Sequence, residues 1–222
     1  MYGERNGNYR RYPNKASENG INQKKYPTMN SKTYIIDKVR KNRPSEGILP
    51  ELPEFVSDNS DLVSMFKEQL QFVGGTMLEL KKRQSIEACI AKVYPSEKSR
   101  WSNVKGVSSL NISMDVITDS HELKDVDLVV LKGAFGVAEN AAIWIPSNTL
   151  QYRVLPFITQ HLVIVLDKSD IVLNMHQAYQ KLDIQSANGF GVFISGPSKT
   201  ADIEQSLVIG AHGSRSLLVV FM

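Results

Sequence analysis

The amino-acid sequence predicts an α/β fold in which helices cover both faces of a mostly parallel sheet. Unbroken apolar runs of strand length occur in the second half of the chain, as in "DVDLVVLKG" (125–133) and "HLVIVLD" (161–167). Such runs are typical of strands buried on both faces of a parallel sheet. Segments with apolar residues at helical spacing lie between them, so strand and helix are expected to alternate.

The predicted α/β domain covers residues 59–222 and follows two segments of different character. Residues 1–30 contain six Asn and four Tyr but few aliphatic residues, so we expect a disordered tail. Residues 31–58 are expected to form a short amphipathic helix and then an extended arm, because closely spaced prolines forbid a long helix. Met29 is a second candidate start of the protein.

The domain is predicted to begin with a helix, a strand and a second helix. The segment 59–75 carries four apolar residues on one helical face and ends in two glycines, which is typical of a helix with a glycine stop. A strand is expected at 76–80. The segment 83–95 then has apolar residues at helical spacing and is closed by a proline.

The second half is predicted to add further strand and helix pairs. Besides the two runs above, strands are expected in "AAIWIPS" (141–147), "GFGVFISG" (189–196) and "SLLVVFM" (216–222). The intervening segments 168–182 and 201–213 have apolar residues at helical spacing and are expected to be crossover helices. Right-handed crossovers are the rule for such units in a parallel sheet.

Charge and cysteine usage exclude several functional classes. The chain has 26 Lys and Arg and 23 Asp and Glu; residues 1–30 hold six and two of these, so the rest holds 20 and 21. A domain without a basic surplus is not expected to bind nucleic acid. Cys89 is the single cysteine, and no Cys/His cluster has metal-ligand spacing, so we expect no metal site. No apolar run is long enough for a membrane span, and a cytoplasmic location is expected.

The stretch "SGPSKTADIEQ" (195–205) is the most polar of the predicted strand-to-helix turns. A helix beginning there would be capped by Thr200 or Ser198, with Asp202 and Glu204 stabilising its first turn. The alternative is a ligand site, because turns beyond the carboxyl ends of strands bind ligands in open α/β sheets. In that case Gly196 admits a ligand to the backbone, and Lys199 with its hydroxyl neighbours Ser198 and Thr200 binds an anion. Asp202 and Glu204 are candidate ligand-binding residues too, although their spacing allows at most one of them to reach the ligand.

The same stretch, continued to the C-terminus as "SGPSKTADIEQSLVIGAHGSRSLLVVFM", resembles the LUD domain family, the lactate-utilization family. Upstream support comes from "SKTYIIDKVRKNRP" (31–44), "LVSMFKEQLQFVGGTMLEL" (62–80) and "HLVIVLDKSDIVLN" (161–174). The resemblance implies a fold like that of the sugar-phosphate isomerase, coenzyme A transferase and formyltetrahydrofolate cyclo-ligase superfamily. It also implies a role in oxidising L-lactate to pyruvate.

The resemblance directs attention to a second loop, in "GAFGVAENAAIWI" (133–145). Family members usually carry Glu-Thr-Gly or Glu-Ser-Gly here, whereas this chain keeps Glu139 and continues with Asn140 and Ala141. Glu139 is the candidate catalytic residue, as a general base or a nucleophile. Asn140 and three residues at the preceding strand end are candidate ligand-binding residues: Lys132, Gly133 and Gly136.

The resemblance therefore implies an accessory or substrate-handling component of a lactate oxidation system, acting on a small anionic metabolite. Iron–sulfur and cysteine-rich subunits are the implied partners. Because the chain has no cysteine set for a cluster and no GxGxxG turn, we expect no cofactor bound by its own motifs, and any electrons would pass through the iron–sulfur partner. A stand-alone enzyme of the transferase or cyclo-ligase kind and a non-catalytic ligand sensor are the alternatives. A homo-oligomer is compatible with the sequence.

Overall fold

The computed structural model of the protein describes residues 31–45, 47–48, 50–51, 61–81, 83–112, 117, 119–182, 190–201 and 207–222. The chain forms two compact units, Met1–Phe55 and Val56–Met222. The described element of the first unit is helix α1 (Ser31–Lys41), in which no residue is buried. Its last turn carries Lys38, Arg40 and Lys41, which suits the negative end of the helix dipole.

The predicted helix, strand and helix at the start of the second unit are confirmed. Helix α2 (Leu62–Phe72) begins at Asp61, whose carboxylate accepts the backbone N–H groups of residues 63 and 64, and Gly74 follows its end at φ +84°. Strand β1 (Thr76–Glu79) comes next. Helix α3 (Ile86–Val93) is capped by the Ser85 hydroxyl.

A five-stranded parallel sheet forms the centre of the second unit. The strands that join β1 are β2 (Arg100–Ser102), β3 (Leu128–Lys132), β6 (His161–Leu166) and β11 (Ser216–Phe221). Their order is β1-β11-β6-β3-β2, and every neighbouring pair is parallel. The predicted α/β class with a mostly parallel sheet is therefore confirmed.

A second, four-stranded sheet contains two of the strands that the sequence analysis assigned to the parallel sheet. Its members are β4 (Phe135–Val137), β5 (Ala142–Pro146), β7 (Ile171–Val172) and β8 (Gly191–Ile194), in the order β7-β4-β5-β8. β5 is antiparallel to both β4 and β8. The expected pair of crossovers into one parallel sheet is thus wrong, because β8 belongs to the second sheet.

The predicted helix at 168–182 is confirmed only in its second half. Helix α5 (Met175–Lys181) begins after Asn174, whose side chain accepts the N–H of Gln177. Before it, Lys168–Asp170 form a 3-10 turn and β7 pairs with β4. The remaining short elements are helix α4 (Leu155–Ile158) and 3-10 turns at Ser120–Leu123 and Ser147–Thr149.

The predicted helix at 201–213 is wrong. Strands β9 (Lys199–Ala201) and β10 (Leu207–Ile209) form an antiparallel pair in which Thr200 lies opposite Val208. Because the described residues at the start and middle of this segment are paired as strands, a helix over the whole of 201–213 is excluded. Asp202, Ile203 and Glu204 lie outside the described residues.

The central sheet has an apolar core on each face. Alternate residues of β3, β6 and β11 pack with α2 and the second sheet on one face; Val129, Ile164 and Val219 are examples. Their neighbours in sequence, such as Val130, pack with Ile90 of α3 on the other face. Helices therefore cover both faces, as predicted. In the described part of the chain no helix is long and apolar enough to cross a membrane.

One charged side chain is fully enclosed in this domain. Arg100, at the start of β2, is 2% exposed and forms ion pairs with Glu87 of α3 and with Glu97, 3.1 Å away. Glu97 is itself only 10% exposed. A buried pair of this kind is costly to break, because removing one partner leaves the other charge without compensation.

Substituting Arg100→Met should therefore lower the free energy of unfolding by about 3–5 kcal/mol. Lys168→Met is the matched control: Lys168 pairs with Glu79 at 3.0 Å, but both side chains are well exposed, so this change should cost about 1 kcal/mol or less. Urea denaturation of both variants measures the difference. Equal losses in the two variants would contradict the importance of burial.

Candidate functional site

The loop after β8, Ser195–Ser198, is held tightly against the end of α2. Gly196 has φ +75°, and a Cβ at this position would lie 2.6 Å from the carbonyl oxygen of Val73. Ser198 donates its N–H to the Ser214 carbonyl at 2.9 Å, and its own carbonyl accepts the N–H of Gly210. The glycine is therefore required for chain packing, where the sequence analysis expected it to admit a ligand.

The location of this loop also differs from the expectation. Val73 precedes β1 and Ser214 precedes β11, so the loop lies beside the amino ends of two central strands. The strand that it follows, β8, belongs to the second sheet and not to the central one. Ser198 and Thr200 cannot cap a helix, because Lys199–Ala201 form β9. Lys199 is exposed and Thr200 is half-buried.

The turn that carries Glu139 joins β4 to β5 and is anchored to helix α5. One Glu139 carboxylate oxygen accepts the N–H of Met175 at 3.0 Å, and the Glu139 N–H donates to the Leu173 carbonyl. The Asn140 side chain accepts the N–H of Ala142. Glu139 is solvent-exposed, and its hydrogen bond to α5 positions the turn.

The two loops singled out in the sequence meet in the structure. The Ser195 hydroxyl donates to the Asn140 carbonyl at 2.7 Å, which links the end of β8 to the β4–β5 turn. Because β8 is paired with β5 along its length, this contact follows from sheet pairing. Glu139 and the "SGPS" loop thus belong to one corner of the domain.

A pocket of about 240 Å³ opens beside the loop after β8; we call it the loop pocket. Its floor is β8 and its walls come from α4 and from the segment before β11. The polar groups that line it are three serines and one imidazole: Ser195, Ser198, Ser214 and His212. Hydroxyl, imidazole and backbone groups of this kind can hydrogen-bond a small carboxylate.

The loop pocket contains only part of the predicted site. Gly196 and Ser198 line it, whereas Glu139, Asn140, Lys199 and Thr200 do not. Lys132 ends β3, and its N–H donates to Asn103.

The two glycines predicted to bind ligand are required for core packing. A Cβ on Gly133 would lie 2.6 Å from Ile143, and one on Gly136 would lie 2.8 Å from Leu166. Neither glycine lines the loop pocket. Both glycines thus have a packing role in the core.

Sequence reasoning missed the contribution of the segment before β11. His212 lines the loop pocket together with Ser214, and neither residue was among the predicted site residues. Gly213 was the available signal: a Cβ there would lie 2.9 Å from the side chain of Ser198. A glycine in "AHGSR" therefore marks the close approach of the two segments.

A second polar cluster lies at the amino ends of β6 and β11. The Ser216 hydroxyl is 2.8 Å from Nδ1 of His161 and 3.1 Å from the Tyr94 hydroxyl, and the Tyr94 and His161 rings lie 4.8 Å apart. Burial lowers the pKa of His161, and Arg215 lowers it further against the opposing effect of Asp127. The imidazole is therefore neutral near pH 7.

The fold is that of an α/β protein with a small pocket lined by serines and a histidine. Residues 118–222 match the family model of the LUD domain. This match confirms the resemblance stated from the sequence.

Several similar proteins carry the name lactate utilization protein C. The one from Halalkalibacterium halodurans is 25% identical over 193 residues, which are 77% of this chain and 84% of that protein. The one from Bacillus subtilis is 26% identical over 170 residues, or 71% of this chain and 67% of that protein. The match to the Bacillus pumilus protein is 38% identical over 84 residues but spans only 35% of that protein.

The fold is also similar to a solved structure, that of a DUF162 family protein from Deinococcus radiodurans. The TM-score is 0.55 at 19% sequence identity, and the alignment covers 75% of this chain and 99% of the other. The likeness supports the α/β assignment.

Substituting Gly196→Ala should lower the free energy of unfolding by more than about 2 kcal/mol, because the methyl group adds a clash with Val73 to the strain of a positive φ. Gly106→Ala is the matched control: Gly106 has φ +84° but no atom within 4 Å of the added Cβ. The control should cost about 1 kcal/mol. Urea denaturation distinguishes them, and similar losses would show that the close approach is unimportant.

Acid should destabilise the domain through His161. The unfolded histidine has a pKa of about 6.5, and the folded one a lower pKa, so between these values the unfolded state binds more protons and stability falls as the pH drops. The His161→Asn variant should lose less stability than the wild type between about pH 6.5 and pH 5. Parallel pH dependences of unfolding in the two proteins would contradict this assignment.

Proposed function

We propose that this protein is an accessory or substrate-handling component of a system that oxidises L-lactate to pyruvate. The observation that carries the proposal is the loop pocket, in a domain whose similar proteins are named for lactate utilization. Its volume of about 240 Å³ suits a ligand of a few heavy atoms. Its hydroxyl groups and imidazole match the carboxylate and the hydroxyl or keto oxygen that lactate and pyruvate share.

Electron transfer is assigned to partner subunits in this proposal. An iron–sulfur cluster requires several thiolates, and the single cysteine of this chain, Cys89, is 5% exposed on the buried face of α3. The protein would bind the metabolite and present it to an iron–sulfur and a cysteine-rich subunit. Co-purification of those subunits with the full chain is the direct test of partnership.

Ligand binding to the loop pocket can be tested by calorimetric titration of the full chain with L-lactate and with pyruvate. We expect His212→Ala and Ser198→Ala to weaken binding by about three- to tenfold each, the value of one neutral hydrogen bond. His121→Ala is the control, since His121 is exposed and does not line the pocket. Absence of binding by both ligands, or equal affinity in the pocket variants, would contradict the proposal.

The accessory role and the stand-alone enzyme make different predictions for Glu139→Gln. Glutamine keeps an oxygen that can accept the Met175 N–H, so the turn and α5 should fold as before. An accessory component should then bind its ligand and partners with unchanged affinity. Turnover of lactate or of an acyl substrate by the wild type alone, and its loss in this variant, would support the enzyme in place of the accessory role.

A further inference from the structure

A larger cavity of about 660 Å³ lies at the amino ends of the central strands, between them and the end of α3. We call it the amino-end pocket. Cavities of this size are typical of small-molecule sites. The first residues of β1, β6 and β11 contribute Thr76, His161 and Ser216, and the other side is formed by 93–97.

The side chains that line the amino-end pocket carry charges of both signs. Arg215 is exposed at the rim, and in the described part of the chain its guanidinium forms no ion pair. Asp127 and Glu97 lie on the lining as well. One Asp127 oxygen, Oδ2, accepts the N–H groups of Lys98 and Ser99.

Glu97 lies between the amino-end pocket and the buried Arg100. Its side chain is 10% exposed, and its Oε1 lies 3.1 Å from Nη1 of Arg100. Oε2 of Glu97 and two nitrogens of Arg100, Nε and Nη1, are buried without a hydrogen bond to any described residue, so these three atoms are closed to a ligand. Arg100 also pairs with Glu87; because two carboxylates share one guanidinium, a cationic group near Glu97 would be favourable.

The uncharged groups of the amino-end pocket can accept and donate hydrogen bonds. Tyr94, Ser216 and His161 form the chain of hydroxyl and imidazole groups described above, and Gln160 stands beside it. A ligand with an anionic group near Arg215 and a cationic N–H group near Glu97 and Asp127 would meet complementary charges at both ends. The α-amino acid carries both groups, attached to the same carbon.

We propose that the amino-end pocket binds a free α-amino acid, with its carboxylate at Arg215 and its ammonium group beside Glu97 and Asp127. The site is separate from the loop pocket and does not depend on lactate binding there. The volume leaves room for a side chain against Val93 and Pro95.

The test is calorimetric titration of the full chain with each proteinogenic L-amino acid. The best binder is then compared with two analogues of the same carbon skeleton: the hydroxy acid, which lacks the ammonium group, and the decarboxylated amine. Both analogues should bind at least about tenfold more weakly, because each leaves one charged group of the pocket unpaired. Failure of every amino acid to bind, or equal binding of the hydroxy acid, would overturn the proposal.

Variants locate the site. Arg215→Gln and Glu97→Gln should each weaken amino-acid binding by about tenfold or more, while Arg153→Gln, an exposed arginine outside the pocket, should leave it unchanged. Because Glu97 is buried, its substitution could unfold the protein, and thermal melting of this variant checks that it is folded. Arg215 is exposed, so its substitution tests ligand binding without an effect on folding. His212→Ala should leave amino-acid affinity unchanged, which separates this site from the loop pocket. Wild-type affinity in Arg215→Gln would refute the assignment.

Discussion

The pairing of the C-terminal strand β11 between β1 and β6 is the interaction on which the rest of the domain depends. Five consecutive residues of this strand, Leu217–Phe221, are almost completely buried, and they supply side chains to the cores on both faces of the sheet. β1 joins the sheet only through β11. Because the partners of β11 are distant in sequence, this pairing must form against a large loss of chain entropy.

The geometry of both pockets depends on the position of that strand. His212, Gly213 and Ser214 line the loop pocket, and the next two residues, Arg215 and Ser216, line the amino-end pocket. The Arg215 N–H is bonded to the Gln160 carbonyl and the Ser214 carbonyl to the Ser198 N–H, so this short segment is fixed on both sides. A change in the register of β11 would therefore alter both pockets together, because successive side chains would exchange faces.

The helices and strands that have local signals could be predicted correctly from the sequence. The prediction failed for segments whose structure depends on pairing with strands distant in sequence. Helix α2 had apolar residues on one helical face and a glycine stop, and β3, β6 and β11 were unbroken apolar runs. The segment after Thr200 had apolar residues that fit a helix, but short apolar runs do not distinguish helix from strand, and pairing of Lys199–Ala201 with Leu207–Ile209 prevailed. No local signal indicated that β5 and β8 belong to a second sheet. The loop pocket could be predicted only in part, since His212 and Ser214 enter it through the position of β11.

The turn at Glu139 illustrates how a chain can tolerate an unfavourable residue. Ala141 adopts φ +53°, a conformation that costs a residue with a Cβ about 1–2 kcal/mol. Its methyl group is completely buried in the core between the two sheets, and burial of one such group contributes about 0.8 kcal/mol in the opposite direction. The hydrogen bonds of Glu139 to α5 and of Asn140 to Ala142 and Ser195 hold the turn in this shape. Fixing this turn therefore accounts for the hydrogen bonds of Glu139 and Asn140. The polar side chains that line the loop pocket lie on two other segments, the loop after β8 and the segment that leads into β11.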